Sequence, residues 1–227
     1  GAWRGSVGYT GVPVRGGRHT LSMLVDPNET LIEELESNNR GGTQWVWEPV
    51  PVSWGTSTVE AAPPPATGGW DSLAEPPTFL NCLGYQTPDL ALAPSRALAA
   101  YMVPAAGCDY DLRLHPHIPG AQDGFKQHLE NSNFDAGEPE FIVFGPVSEA
   151  SPFTYDIGVV NLEGTGDFVL QMDQSDTRSL SGAGSYGPFT LAGGDMLDVH
   201  KITMPSGAWT FSLEPAKGNL VDLGFSL

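Results

Sequence analysis

The run Cys108-Asp109-Tyr110-Asp111-Leu112-Arg113-Leu114 sets large apolar residues (Tyr110, Leu112, Leu114) alternately with charged ones. A period of two marks a half-buried strand, because successive side chains on extended backbone leave by opposite faces. The run therefore predicts a central strand with one face in a core. Residues 97–103 read as a strand before it, and 141–144, 155–161 and 168–172 after it. The 28 glycines and 20 prolines of this 227-residue chain separate such short runs throughout. Proline breaks helix interiors and is tolerated at strand edges, and glycine serves turns and bulges. The chain is expected to be all-β and, at this length, to hold more than one unit.

Acids outnumber bases 27 to 10, a net charge of −17, and the only lysines are Lys126, Lys201 and Lys217. Such a field disfavours DNA, RNA and anionic lipid, so no nucleic-acid partner is expected. No stretch approaches the roughly 20 apolar residues of a membrane span, so no membrane insertion is expected either. Gly1-Ala2-Trp3-Arg4 has no apolar h-region behind it and reads as no signal peptide; a secreted chain with this start would be mature, processed or a fragment. The acidic, lysine-poor, β-rich composition points to an extracellular or cell-surface location. There the cysteine pair, Cys82 and Cys108, is expected to form a disulfide, whereas a reducing compartment would leave two thiols. The bond would close a loop of roughly 25 residues and stabilise by about 3 kcal/mol in the chain-entropy model. The absence of C-x-x-C argues against a zinc or redox site.

Along the chain, residues 19–25 read as a strand and Asp26-Pro27-Asn28 as a turn, with Asp and Asn able to bond the local backbone. Residues 29–39 favour a short helix on propensity alone. A strand over 43–52 places Trp45 and Trp47 on one face. Gly17, His19, Leu21, Val25, Asp26, Pro27, Glu33, Glu36, Asn38 and Asn39 occur in the order seen in the tail of a CARDB module. This segment resembles that immunoglobulin-like, cell-adhesion-related domain of bacterial and archaeal surface proteins. The resemblance implies that 30–36 is extended, and that residues 1–55 hold only the last strands of an incomplete immunoglobulin-like sandwich. Residues 56–69, with Pro63-Pro64-Pro65, read as a semi-rigid linker.

A second unit is expected over 70–175. Its motifs are Tyr101-x-Val103, the D-Y-D-L-x-L core at 109–114, Leu129-x-x-Ser132, Glu140-Phe141-Ile142-Val143 and Tyr155-Asp156-Ile157-Gly158-Val159-Val160-Asn161. They resemble the bacterial pre-peptidase C-terminal domain, which implies a jelly-roll-like β-sandwich that is not itself catalytic and serves attachment, spacing or substrate contact. Residues 176–227 partly repeat this unit: 197–205 echo 97–104, 208–213 alternate as a strand, and 220–227 echo the region of Asp111 and Leu112.

Chemistry is sparse. Asp109 and Asp111, two apart on a strand, with Asp123 or Asp135 from the following loop, offer the oxygen ligands calcium takes. The same residues equally make a solvated acidic edge that discourages strand pairing. Calcium is the only cofactor the residues point to. His115, His117 and His128 form the one histidine cluster, but Pro116 between the first two argues for a structural loop rather than a transition-metal site. No nucleophile motif such as G-x-S-x-G appears, and nothing selects a carboxylate pair, so no catalytic residue is assigned. Trp45, Trp47 and Trp54 are close enough to form one patch for stacking on sugar rings, a role that competes with filling a core.

These features point to a non-catalytic extracellular structural or adhesive β-protein. Its partners would be copies of itself or neighbouring domains of the same surface protein, and glycans. Incomplete units at both ends predict strand sharing between copies, which gives a fibre where the contact does not close. The alternative is a carbohydrate- or substrate-binding accessory region of a secreted hydrolase.

Overall fold

The computed structural model describes residues 14–24, 26, 28, 30–32, 40–64, 82–86, 96–117, 120–122, 128–145, 155–175, 179–181, 183–187, 190–191, 193–203, 205–210 and 212. Among them there is no helix, and the chain is all-β. The strands are β1 (Gly17–Leu24), β2 (Arg40–Trp47), β3 (Val50–Pro51), β4 (Thr58–Glu60), β5 (Cys82–Gln86), β6 (Leu98–Pro104), β7 (Asp109–Pro116), β8 (Gly120–Gln122), β9 (Glu130–Ser132), β10 (Glu140–Phe144), β11 (Tyr155–Glu163), β12 (Phe168–Gln174), β13 (Ser179–Ser181) and β14 (Lys201–Thr203). The larger sheet runs β8-β2-β1-β5-β11-β7-β9, with β3 also on β5, and the smaller runs β10-β6-β12-β4. A separate parallel pair joins β13 and β14.

The alternation in β7 lands as expected. Tyr110, Leu112 and Leu114 are buried together with Leu83 and Tyr85 of β5, Ile157 and Val159 of β11, Ala100 and Met102 of β6, and Phe168, Leu170 and Met172 of β12. These inward residues of the two sheets make one sandwich core. Phe168 sits at its centre, edge-on to Tyr85 (5.9 Å, 82°) and to Tyr110 (5.9 Å, 83°). The Tyr110 hydroxyl emerges from the core to donate to the Gly166 carbonyl at 2.7 Å, which a buried phenol requires. The turn between β11 and β12 needs glycine. Gly164 has φ +107°, and a Cβ there would lie 2.6 Å from Cys108 Sγ.

The expected domain boundaries do not coincide with breaks in the sheets. β1, from the segment read as 1–55, pairs with β5 at Gly17↔Leu83 and Arg18↔Cys82. β4, inside the stretch read as a 56–69 linker, pairs with β12 from Phe168↔Glu60 to Leu170↔Thr58. Beyond 175, Gln171 of β12 grips the later chain: its Oε1 accepts from Met196 N at 2.5 Å and its Nε2 donates to the Leu197 carbonyl at 3.0 Å. Residues 208–210, expected in a strand, are not in one. The Asp26 turn forms as read: its carboxylate accepts from Thr30 N, Thr30 Oγ1 and Leu31 N at 3.0, 2.7 and 2.6 Å. Residues 33–39, Trp70 and both chain ends lie outside the described residues.

Candidate functional site

Register partners across an antiparallel pair share a face. Gly17 of β1 lies opposite the core residue Leu83 on one side and Trp47 on the other. Trp47, and with it Trp45 and its partner His19, therefore look to the core side of the larger sheet. Yet among the described side chains none of β1 or β2 belongs to the sandwich core, and the buried Val46 of β2 has the opposite parity. Among the described residues the smaller sheet ends at β4, which lies across from β5: the Tyr85 hydroxyl donates to Glu60 Oε2 at 3.3 Å. The larger sheet thus overhangs the smaller, and two tryptophans sit on the overhang. Their ring centroids are 6.2 Å apart with planes at 48°. Trp45 is 37% exposed; Trp47 is half-buried, and its indole N–H finds no acceptor among the described residues.

Beneath the overhang is a groove of about 390 Å³ lined by Val14, Arg15, His19, Ala62, Pro63 and Pro64. Arg15 ties its two sides together. Its Nη1 donates to the Ala61 and Ala62 carbonyls at 3.0 Å each, and its Nη2 to Glu60 Oε2 at 3.2 Å and to the Tyr85 hydroxyl at 3.3 Å. His19 Nε2 donates to the Arg15 carbonyl at 2.8 Å. Burial lowers the pKa of His19, so the ring is neutral at pH 7 and its Nδ1 is an acceptor. Trp54 does not join the patch expected from the sequence. It packs against the sandwich core instead.

The other face of the larger sheet is not the solvated one that alternation predicts. Arg18, Cys82, Asp111, His115, Asp156 and Val160 are all buried there. Gly158 lies among them, and a Cβ on it would meet Cys82 Sγ at 3.0 Å and both Cδ2 and Nε2 of His115 at 3.2 Å. The thiol and the imidazole therefore fill the space above the glycine. Burial pushes the Cys82 thiol up to about 12, so it stays protonated and packs rather than attacks. His117 Nδ1 stands 3.8 Å from Asp156 Oδ2, an ion-pair rather than a hydrogen-bond distance, and that carboxylate raises the pKa of His117. His128 instead meets His115 edge-on, with centroids 6.5 Å apart.

The expected disulfide is not formed. Cys82 and Cys108 are both free and buried. Cys82 packs on Gly158 within β11 and Cys108 on Gly164, just past the end of that strand. At about 3.3 Å per residue the strand from Gly158 to its end alone spans roughly 15 Å, whereas a disulfide needs its Cβ atoms about 4 Å apart.

Of the carboxylates read for calcium, Asp109 and Asp111 share the outward face of β7, Asp135 is exposed, and Asp123 lies outside the described residues. Among the described residues no three His, Cys, Asp or Glu side chains gather to hold a metal. Burial, then the charge of Glu140, pushes the pKa of Asp111 up to about 6. The sequence reading took Glu140 only as part of a strand motif. The available signal was parity: it alternates in step with Ile142, which puts a charge on the core side of β10.

No family model matches the chain, and no curated protein does. A solved structure that resembles it is the pre-peptidase C-terminal domain of a collagenase from Bacillus anthracis. The two share 12% identity over 56% of this chain and 95% of that one, with a TM-score of 0.36. That likeness is slight and says nothing about activity; no comparison bears on the CARDB-like reading of the N-terminal segment.

Proposed function

We propose that this chain is a non-catalytic, adhesive β-domain of an extracellular protein, working by contact at the overhang. The observation that carries the reading is the pair Trp45 and Trp47 on a sheet face that the smaller sheet leaves uncovered. Above an open groove, a partly exposed indole suits the apolar face of a sugar ring, and the Nδ1 acceptor of His19 beside it suits a hydroxyl. A glycan is accordingly the proposed ligand. The buried, protonated Cys82 thiol beside Gly158 supports a structural rather than nucleophilic role for that cysteine.

A second reading has its own support. Among the described residues no strand pairs with the far edge of β4, and Val59 there is 70% exposed. An open edge accepts another strand, so copies of the chain would join by strand addition. Affinity electrophoresis through gels cast with neutral and acidic polysaccharides, alongside light scattering, separates the two. Retardation by a polysaccharide, weakened about five- to thirty-fold in Trp45→Ala, is the outcome expected; that corresponds to about 1–2 kcal/mol for loss of an aromatic anchor. Unchanged mobility across the whole panel sinks the glycan contact, and concentration-dependent assembly without it favours strand addition.

A further inference from the structure

Among the described residues that line the groove, Arg15 and His19 are the two with titratable side chains. His19 is neutral, for burial lowers its pKa, so the guanidinium of Arg15 is the one lining cation. That cation is already engaged. Its Nη1 hydrogens go to the Ala61 and Ala62 carbonyls, and its Nη2 hydrogens to Glu60 Oε2 and the Tyr85 hydroxyl. A guanidinium has five N–H donors, so at most Nε–H is left for a ligand. The two-pronged fork that grips a carboxylate is occupied. Glu60 is fixed in turn: its Oε2 stands 3.2 Å from Nη2 and accepts from the Tyr85 hydroxyl at 3.3 Å. The pair still reaches solvent, with 39% of the Arg15 side chain and 18% of the Glu60 side chain exposed.

We propose that the groove takes neutral polysaccharide chains and rejects acidic ones, and that Glu60 sets this preference by occupying Arg15. The inference rests on the reading of the overhang as a glycan contact. A sugar hydroxyl can donate to Nδ1 of His19. A uronate carboxylate only accepts, so it finds no partner in that nitrogen and no free fork on Arg15. It meets instead a like charge, Glu60, beside the guanidinium, and such a juxtaposition disfavours the wrong partner. The net charge of −17 acts in the same direction at long range. Salt separates the two effects. The Debye length falls from about 10 Å at 0.1 M to about 3 Å at 1 M, which screens the distant field and leaves the occupied fork as it is.

The test is binding of the whole chain to surfaces coated with galactomannan, mixed-linkage β-glucan, dextran or pullulan. Each polymer is also used as its carboxymethyl derivative and, to control for bulk, its uncharged hydroxyethyl derivative. Buffers hold about 0.05 M or about 0.5 M NaCl. The wild-type chain should hold a hydroxyethyl polymer at least about fivefold more tightly than its carboxymethyl counterpart at both salt concentrations. In Glu60→Gln, which frees the Nη2 side of the fork, that ratio should fall by at least about fivefold at the higher salt. Equal binding of the two derivatives by the wild-type chain at the higher salt would overturn the inference and leave the glycan contact standing. An unchanged ratio in a Glu60→Gln chain of wild-type Tm would overturn the role of Glu60. Where that variant does not fold, the wild-type ratio at the higher salt decides. Binding to none of the polymers would sink the glycan contact itself, and this preference with it.

Discussion

Gly158→Ala asks whether the polar face of the larger sheet is a site or a packed layer. The added methyl would stand 3.0 Å from Cys82 Sγ and 3.2 Å from two atoms of the His115 ring. Ordinary carbon contacts lie near 3.5–4.0 Å, so the thiol must give by roughly 0.5–1 Å and the ring by slightly less. Neither has room. Cys82 is 1% exposed and His115 2%, each on a strand paired with β11. Overpacking of this kind costs about 1–3 kcal/mol. Replacing glycine returns about 0.4–1 kcal/mol by narrowing the unfolded ensemble. The net expectation is a loss of about 1–2 kcal/mol, read as a lower urea midpoint at constant m. Cys82→Ala removes one of the two obstructions. In a double-mutant cycle Gly158→Ala should therefore cost less in the Cys82→Ala background, with a coupling of about 0.5–2 kcal/mol. A Gly158→Ala chain as stable as the wild type would refute the reasoning, because it would mean open space above the glycine where the structure has a thiol and a ring. An additive cycle would place the obstruction wholly at His115.

Two further outcomes follow from the same burial. The Asp111 carboxyl titrates at about 6 in the folded chain against about 3.9 unfolded, so folding takes up a proton between those values. Stability should fall as pH rises from about 4 to about 6, by at most about 3 kcal/mol, and stay low above; Asp111→Asn should stabilise at pH 8 and not at pH 4, where urea midpoints that differ equally at both pH values would contradict the assignment. With no disulfide and both cysteines buried, Ellman's reagent should find no reactive thiol in the native chain and two after unfolding without reductant; none after unfolding would restore the bond.

What the sequence disclosed was what depends on neighbouring residues alone. The inward set Tyr110, Leu112 and Leu114 follows from a period of two, and so does the shared face of Trp45 and Trp47, because parity on a strand needs no knowledge of the partner. The Asp26 turn was legible for the same reason: its hydrogen bonds to the described residues Thr30 and Leu31 close within five residues. β4 was not, since Thr58-Val59-Glu60 is too short to show a period and sits in a proline-rich stretch that reads as linker. Its strand character comes from β12, more than 100 residues away. The disulfide expectation failed for a related reason. Parity of cysteines and a presumed compartment say nothing about distance, and the fold sets one sulfur at Gly158 within β11 and the other at Gly164 beyond its end. The polar face of β7 shows the limit most clearly. Alternation assigns Asp111 and His115 to one side of the sheet, but whether that side meets solvent or protein is decided by other parts of the chain. A charged residue on a covered face changes from a solubilising group into one that must find a proton, a base or a cation. That is why Asp111, an ordinary strand residue in the sequence, becomes a chemically demanding one in the fold.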